Sequence, residues 1–460
     1  MIRKIVFSFL FIINKATNTV MKKLNLCFIV SLLFLTFCSK DPMLRCPEFP
    51  ADNQGHYNAI SPPFRIAVVS DIHYMDPLIL PLNIENNTEF QSEVMKDRKI
   101  PELSDPVFRR VVSDLIDERP DILLITGDLA REGELVCHQA VKGFLRRLES
   151  RGIKVFVIPG NNDINNPEAK TFRTVPASPL PGVTPDEFVR LYREFGYDEA
   201  LYRDDNSLSY ICQPFKGIWI LGIDAIHYSD KGVSGVIDPG TMSWITEKLA
   251  EANEKNITVL AMMHYGILEH YSGQNNLEPL VKDHKELADA LMNSGVRLIF
   301  TGHYHATDIV DFTNNGKTLT DIETGSLVTP PMSYRIMKLD DHFANIETRR
   351  IMDIDMRMPF RMNFLRYCDV TINARLNGFF TYALRYMFMV PKEEAVLAAP
   401  YCTAAFKDYI AGDEQLTASD IADIESISTR VPSFPLLESC LYSWQTDLPP
   451  GDNRVHLKLK

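Results

Sequence analysis

Between residues 64 and 301 the chain alternates two textures. Short runs at 65–70, 122–126, 154–158, 218–223, 257–263 and 297–301 are apolar at most positions. Most are β-branched or aromatic, as strands buried on both faces require. Amphipathic stretches of helix length separate them, at 105–118, 133–151, 185–196, 241–254 and 283–294. The third opens with Thr184 as cap, Pro185 in the first turn and Glu187 three residues after the cap. Gly152 and Gly295 each end a helix ahead of a strand. This alternation predicts an α/β architecture with largely parallel pairing. Past 315, short strands at 318–323, 334–339 and 345–351 predict antiparallel hairpins at a sheet edge. From about 355 strand alternation stops and aromatic residues crowd in. Helices are predicted over 376–390, 392–411 (kinked at Pro400) and 417–428. The pattern divides into a main domain over 64–354 and a small helical C-terminal domain over 355–460.

The first 63 residues have a different texture. Met21-Lys22-Lys23 is a short basic region, and Leu24 to Phe37 is almost wholly apolar. Fourteen residues make about 21 Å of helix, too short to span a membrane and right for the core of an export signal. The run closes on Cys38 followed by Ser39-Lys40-Asp41, which resembles a bacterial lipoprotein signal, although Phe37 replaces the usual small residue. The resemblance implies lipidation of Cys38 and an exported, membrane-anchored, extracytoplasmic protein. The alternative is a plain signal peptide or an uncleaved anchor. Met21 is an alternative initiator, since residues 1–20 carry a separate apolar run. Residues 39–63, with five prolines, read as a tether.

Composition narrows the partners. The 460 residues are 45% hydrophobic with a formal net charge of −12, which disfavours long nucleic acids as ligands. A small phosphate-bearing substrate stays open if metal ions supply local positive charge. The eight cysteines show no CxxC; in an exported chain they permit disulfides, with isolated buried thiols as the alternative.

The candidate chemistry is positional. Asp71-Ile72-His73 ends the first strand, Gly127-Asp128 the second, and Gly160-Asn161-Asn162-Asp163 follows the third. His264 closes the 257–263 strand, and Gly302-His303-Tyr304-His305 follows the 297–301 strand. Ligands of open α/β sheets bind outside the carboxyl ends of strands, so five strand ends converge on one place. Carboxylate, imidazole and amide oxygen are ligands for divalent Mn, Fe or Zn. Seven such groups, one carboxylate shared, suffice for two ions. Two ions about 3.5–4 Å apart can hold a bridging hydroxide for in-line attack on phosphorus and clamp the leaving oxygen. His303 and His305, two apart, share a side of an extended segment. Glycines 127, 160 and 302 allow sharp turns and close backbone approach.

This order of motifs resembles the calcineurin-like metallophosphoesterase superfamily over about residues 64–352. Asp163-Ile164-Asn165-Asn166-Pro167 and the 321–327 stretch resemble a narrower group of exported bacterial enzymes similar to class III cyclic-nucleotide phosphodiesterases. The resemblance implies a four-layer αββα double-sheet sandwich. It implies that Asp71, His73, Asp128 and His305 bind one metal, that Asp128 bridges, and that Asn161, His264 and His303 complete the second.

Asn162 departs from the pattern. The superfamily carries histidine there, and that histidine is thought to protonate the leaving oxygen. An amide donates a hydrogen bond but delivers no proton at neutral pH. His227 is a candidate substitute donor. Asp163 reads as an orienting acceptor or a helix cap. Arg131 stands where purple acid phosphatases have a tyrosine ligand; it meets either substrate phosphate or, preferably, solvent. Tyr265 and Tyr304 stack on a nucleobase or pack in the core. The remaining histidines, His138 and His270 among them, read as surface or core-edge residues.

The expected function is hydrolysis of cyclic nucleotides or other small phosphodiesters by a dinuclear metal centre. The alternatives are a lipid-anchored metal-containing binding module with weak catalysis, and a phosphomonoesterase or nuclease.

Overall fold

The computed structural model describes residues 63–95, 97–228 and 235–459. The export segment with Cys38, Cys46 and nearly all of the tether lie outside the described residues. Two sheets carry the fold. The first is ordered β15-β14-β13-β1-β2-β3, with β1 (Phe64–Val69), β2 (Ile122–Ile125) and β3 (Lys154–Val157) parallel. Its other members are β13 (Ser333–Leu339), β14 (Phe343–Arg350) and β15 (Arg454–Lys458), joined antiparallel. The second is ordered β11-β12-β10-β9-β8-β7-β6. There β8 (Ile218–Ile223), β9 (Thr258–Met263), β10 (Leu298–Thr301) and β12 (Lys317–Glu323) are parallel. β6 (Tyr202–Arg203), β7 (Tyr210–Phe215) and β11 (Ile309–Asn314) add antiparallel strands. The pair β4 (Lys170–Thr171) and β5 (Ser178–Pro179) stands apart.

Side-chain alternation divides the second sheet between two apolar layers. Leu260, Met262, Leu298 and Phe300 join the core shared with Val68 and Val155 of the first sheet. Val259, Ala261, Met263 and Ile299 face the other way, with Ile245 and Leu291 of the helices Pro239–Glu254 and His284–Asn293. A strand apolar at every position thus feeds two cores, which makes the double-sheet α/β sandwich. The predicted strands fall within a residue or two of the observed ones. The expected antiparallel hairpins form, one toward an edge of each sheet: β11–β12 in the second and β13–β14 in the first.

The C-terminal helices are Phe364–Tyr386, Lys392–Ala411, Ala418–Arg430 and Leu437–Trp444. The first begins a dozen residues before its predicted start because the Asn363 side chain accepts from Arg366 N–H and caps it. The second runs on through Pro400. Leu376, Phe406 and Leu441 join the same core as the sandwich. The expectation of no strand after 355 is corrected by β15, whose Val455 and Leu457 are buried while its polar residues alternate outward. The described cysteines are free, buried thiols. No helix among the described residues is long and apolar enough to cross a membrane.

Candidate metal centre

The two sheets present their strand ends at one rim. β1 leads into Asp71 and His73, β2 into Asp128 and β3 into Asn161; β9 leads into His264 and β10 into His303 and His305. Hydrogen bonds lock these ends together: Asp71 N–H to the Gly127 carbonyl (3.1 Å), His73 N–H to that of Asp128 (2.9 Å) and Gly302 N–H to that of His264 (3.0 Å). Five of the seven residues hold left-handed backbone: Asp71 (φ 47°), His73 (40°), Asp128 (51°), His303 (77°) and His305 (66°). Such a conformation costs an L residue of order 1–3 kcal/mol and persists only where the surroundings enforce it. The glycines serve close approach. A Cβ on Gly160 would lie 2.2 Å from Asp128 N and Oδ1, and one on Gly302 would lie 1.9 Å from Ser70 Oγ.

All seven predicted side chains meet. His73 Nε2 and His305 Nε2 turn toward each other at 3.1 Å, with Asp71 Oδ1 3.4 Å from the latter. Opposite them, Asn161 Oδ1 lies 2.9 Å from both His264 Nε2 and His303 Nδ1. Asp128 Oδ2 sits between the halves, 3.4 Å from His73 Nε2 and 3.6 Å from His264 Nε2. Ligands sharing one divalent ion at about 2.0–2.2 Å lie roughly 3.0–3.5 Å apart, so these spacings fit two ions. The donor set asks for them. Asp71 Oδ1 is buried without a hydrogen-bond partner, an arrangement a cation satisfies.

The supporting contacts favour the metal-ready form. His264 Nδ1–H donates to the Thr126 carbonyl (2.8 Å) and His305 Nδ1–H to Thr329 Oγ1 (2.7 Å), which frees both Nε2 lone pairs toward the centre. Burial lowers His305 to about 3 and lowers His303 well below its usual value, so both rings are neutral. Burial would raise the Asp71 carboxyl, but His305 and His73 hold it well below the usual range. Asp163 is fully buried and accepts from the N–H groups of Gly160 (2.8 Å), Ala130 (3.0 Å) and Leu129 (3.2 Å), pinning the Asp128 and Asn161 loops together. Burial and the Asp128 charge push its carboxyl up to about 7.

The sequence model for Calcineurin-like phosphoesterase matches residues 64–307, more than half of the chain. The chain belongs to that family. Calcineurin-like phosphoesterases use a dinuclear divalent metal centre, and Asp71, His73 and His305, like Asp71, Asp128 and His264, gather ligand atoms within 4.8 Å of one another. A 64-residue stretch is 34% identical to a "Probable cyclic nucleotide phosphodiesterase" of Vesicomyosocius okutanii; it covers 14% of this chain and 26% of that relative. Among solved structures, a dimetal phosphatase from Danio rerio is 14% identical with a TM-score of 0.46, covering 63% of this chain and 97% of the other. A purple acid phosphatase from yellow lupin (Lupinus luteus) seeds is 12% identical with a TM-score of 0.40, covering 63% and 52%.

Around this calcineurin-like centre several sequence expectations change. Arg131 does not face solvent: it is buried, and its guanidinium is held by Glu134 (3.2 Å) and Glu93. His138 is wholly buried, donating from Nε2 to the Asp163 carbonyl (3.0 Å) and accepting at Nδ1 from Tyr192 Oη (2.8 Å). His270 is equally buried, 3.0 Å from Asp308 Oδ1. Tyr265 and Tyr304 pack in the interior, Tyr265 with its ring 4.4 Å from that of His303. His227 is exposed on the segment after β8. A group the sequence reading missed is Asp308, Glu414 and Asp452, three carboxylates within 4.8 Å between the sandwich and the C-terminal helices. They lie about a hundred and forty residues apart end to end, and no local motif joins them.

Proposed function

We propose that this phosphoesterase hydrolyses small phosphodiesters, cyclic nucleotides first among them, and that Cys38 holds it outside the cytoplasm on a membrane. One observation carries the catalytic reading: Asp128 Oδ2 stands between two ligand sets, His73/His305/Asp71 and His264/His303/Asn161. The first set with Asp128 would hold one ion and the second with Asp128 the other. Bound there, divalent Mn, Fe or Zn supplies Lewis acidity and lowers the pKa of water toward neutrality. Asn161, Asn162 and His303 are the half-buried members, so substrate phosphate arrives on their side. The Thr126 carbonyl and Thr329 hydroxyl fix the ring planes of His264 and His305. The name of the local relative and the acidic chain support a small cyclic diester over a polynucleotide.

The test is hydrolysis of an aryl phosphodiester, 3′,5′-cyclic AMP and an aryl monoester by metal-free protein resupplied with Mn, Zn, Fe or Mg, with Asp128→Ala as the blank. Metal-dependent diester turnover absent from the blank supports the reading. Monoester turnover alone replaces it with a phosphomonoesterase. Bound metal without turnover replaces it with a binding module.

A further inference from the structure

We propose that Arg375, on the C-terminal helix Phe364–Tyr386, is a positioning residue for His305 and His303 of the metal centre. The inference rests on the two-metal reading above. Arg375 is 3% exposed, and its guanidinium forks onto Glu102, with Nη2 2.7 Å from Oε1 and Nη1 3.2 Å from Oε2. Nη1 also donates to the Lys99 carbonyl at 2.5 Å. One residue earlier the same segment meets the centre. The Arg98 carbonyl accepts from Thr329 Oγ1 (3.1 Å), and Thr329 Oγ1 accepts from His305 Nδ1–H (2.7 Å). Arg98 Nη2 donates to the His303 carbonyl (3.3 Å), while Nη1 is held by Glu278 (2.6 Å). Ile100 N–H donates to the Val328 carbonyl (2.7 Å), beside Thr329.

The helix lies directly against this segment. A Cβ on Gly378 would sit 2.5 Å from the Met95 carbonyl oxygen, so the helix could not approach this closely with any other residue there. Three contacts of one helix, at Met95, Lys99 and Glu102, therefore set where residues 98–100 lie. Residues 98–100 in turn set the Thr329 hydroxyl that orients the His305 ring. A planar two-pronged donor suits this task, because it fixes direction as well as charge; a lysine at 375 keeps the charge and loses the fork. The helical segment thus helps to build the centre rather than only to cover its flank.

The experiment is equilibrium Mn(II) binding to the full-length protein, followed by electron paramagnetic resonance, with circular dichroism confirming the fold of each variant. Loss of an outer hydrogen bond to a metal-bound histidine lowers affinity by about 10–100-fold, and Thr329→Val is expected in that range. Arg375→Met, one step further out, is expected to weaken Mn(II) about 10-fold, and Arg375→Lys by less. The double variant Arg375→Met/Thr329→Val is expected to lose less than the product of the two single losses, because both cut the arm to His305 and only Arg375→Met also reaches the arm to His303. Ile372→Ala, a buried apolar truncation on the same helix, is expected to keep wild-type affinity. Wild-type affinity in both Arg375 variants overturns the proposal, as does a loss matched by Ile372→Ala or an additive double variant. If Arg375→Met does not fold, Arg375→Lys and Thr329→Val decide alone. Wild-type protein binding fewer than two ions overturns the two-metal reading itself, a result visible before any variant is compared.

Discussion

Asn162 places both of its nitrogens on one carboxylate. Its backbone nitrogen lies 2.8 Å from Asp128 Oδ1 and its Nδ2 lies 2.6 Å from Oδ2. Oδ2 is the oxygen that faces His73 and His264, so Asn162 braces the carboxylate between the two ligand sets. That bracing gives the amide a structural task at this position.

The consequence for rate depends on the leaving group. A general acid contributes about 10²–10⁴-fold when the leaving oxygen is basic and little when it departs readily as an anion. Asn162→His is therefore expected to raise kcat on 3′,5′-cyclic AMP by about 10²-fold and on a nitrophenyl diester by less than about 3-fold. The ratio of the two gains is the measurement. Equal gains on both substrates would count against a missing proton donor.

The central place of Asp128 makes its loss different from that of a peripheral ligand. His305 reaches only the Asp71/His73 side, whereas Asp128 Oδ2 lies within 3.6 Å of a histidine on each side. Metal analysis of dialysed protein is expected to give about two ions per wild-type chain and about one for His305→Ala. Asp128→Ala is expected to hold less than one and to lose more than about 10³-fold in turnover. Asp128→Ala retaining both ions would remove it from the centre.

What the sequence revealed follows from what is local in it. Buried parallel strands announce themselves by apolar runs and their ends follow directly in the sequence, so the meeting of Asp71, His73, Asp128, Asn161, His264, His303 and His305 at one rim was readable. The environment of Arg131 was not, because Glu93 comes from a distant helix and only folding sets it beside the guanidinium. β15 was missed because its alternation, though strict, spans only five residues and follows helices; its partner β14 lies about a hundred residues earlier. The carboxylates Asp308, Glu414 and Asp452 and the relay from Arg375 share that cause.

One glycine at the rim, Gly160, tests the packing there against another, Gly143, that plays no part in it. A Cβ at Gly160 would strike the Asp128 backbone nitrogen as well as its carboxylate, so no rotamer change relieves it. Gly160→Ala is expected to cost about 1–3 kcal/mol and to weaken metal binding. Gly143 lies exposed inside the helix Leu135–Glu149 with open space where a Cβ would go. Gly143→Ala is expected to stabilise by about 0.5–1 kcal/mol. Urea unfolding of both variants gives the comparison; a stable, fully metallated Gly160→Ala would contradict the packing argument.

Attachment through Cys38 has its own test. If the lipoprotein reading holds, Cys38→Ser is expected to abolish labelling with a fatty-acid probe and to move the protein from the membrane fraction to the soluble one, with catalytic activity retained. Unchanged labelling or fractionation would return the N-terminus to a plain signal or an uncleaved anchor.

The carboxylates between the sandwich and the C-terminal helices predict an unusual dependence of stability on pH. Burial, with the Asp308 and Asp447 charges, pushes Asp452 up to about 8, against the pull of Arg335. Burial and Asp308 push Asp447 up to about 6, and burial, Asp308 and Asp452 push Glu414 up to about 11. In the unfolded chain such groups titrate near 4. The folded state thus keeps protons that the unfolded chain releases, so their contribution is complete below about pH 4 and is lost as pH rises. For Asp447 the loss is done near pH 6 and for Asp452 near pH 8. Carboxylates with lowered values, such as Asp97 with its Lys99 neighbour, act in the opposite sense only below about pH 4, whereas the buried histidines His138, His303 and His305, lowered by burial, act in it up to about pH 7. Above about pH 7, where the histidines are neutral in both states, the urea midpoint of metal-free protein is therefore expected to fall toward pH 8.5. Asp452→Asn keeps an oxygen for the Ile309 N–H, which Asp452 Oδ1 accepts at 2.8 Å, and removes the charge. It is expected to flatten the profile and to be the more stable protein at pH 8.5. A midpoint that holds level or rises between pH 7 and 8.5, or an Asp452→Asn protein weaker than wild type at pH 8.5, would show that these carboxylates are ionised and compensated in the fold.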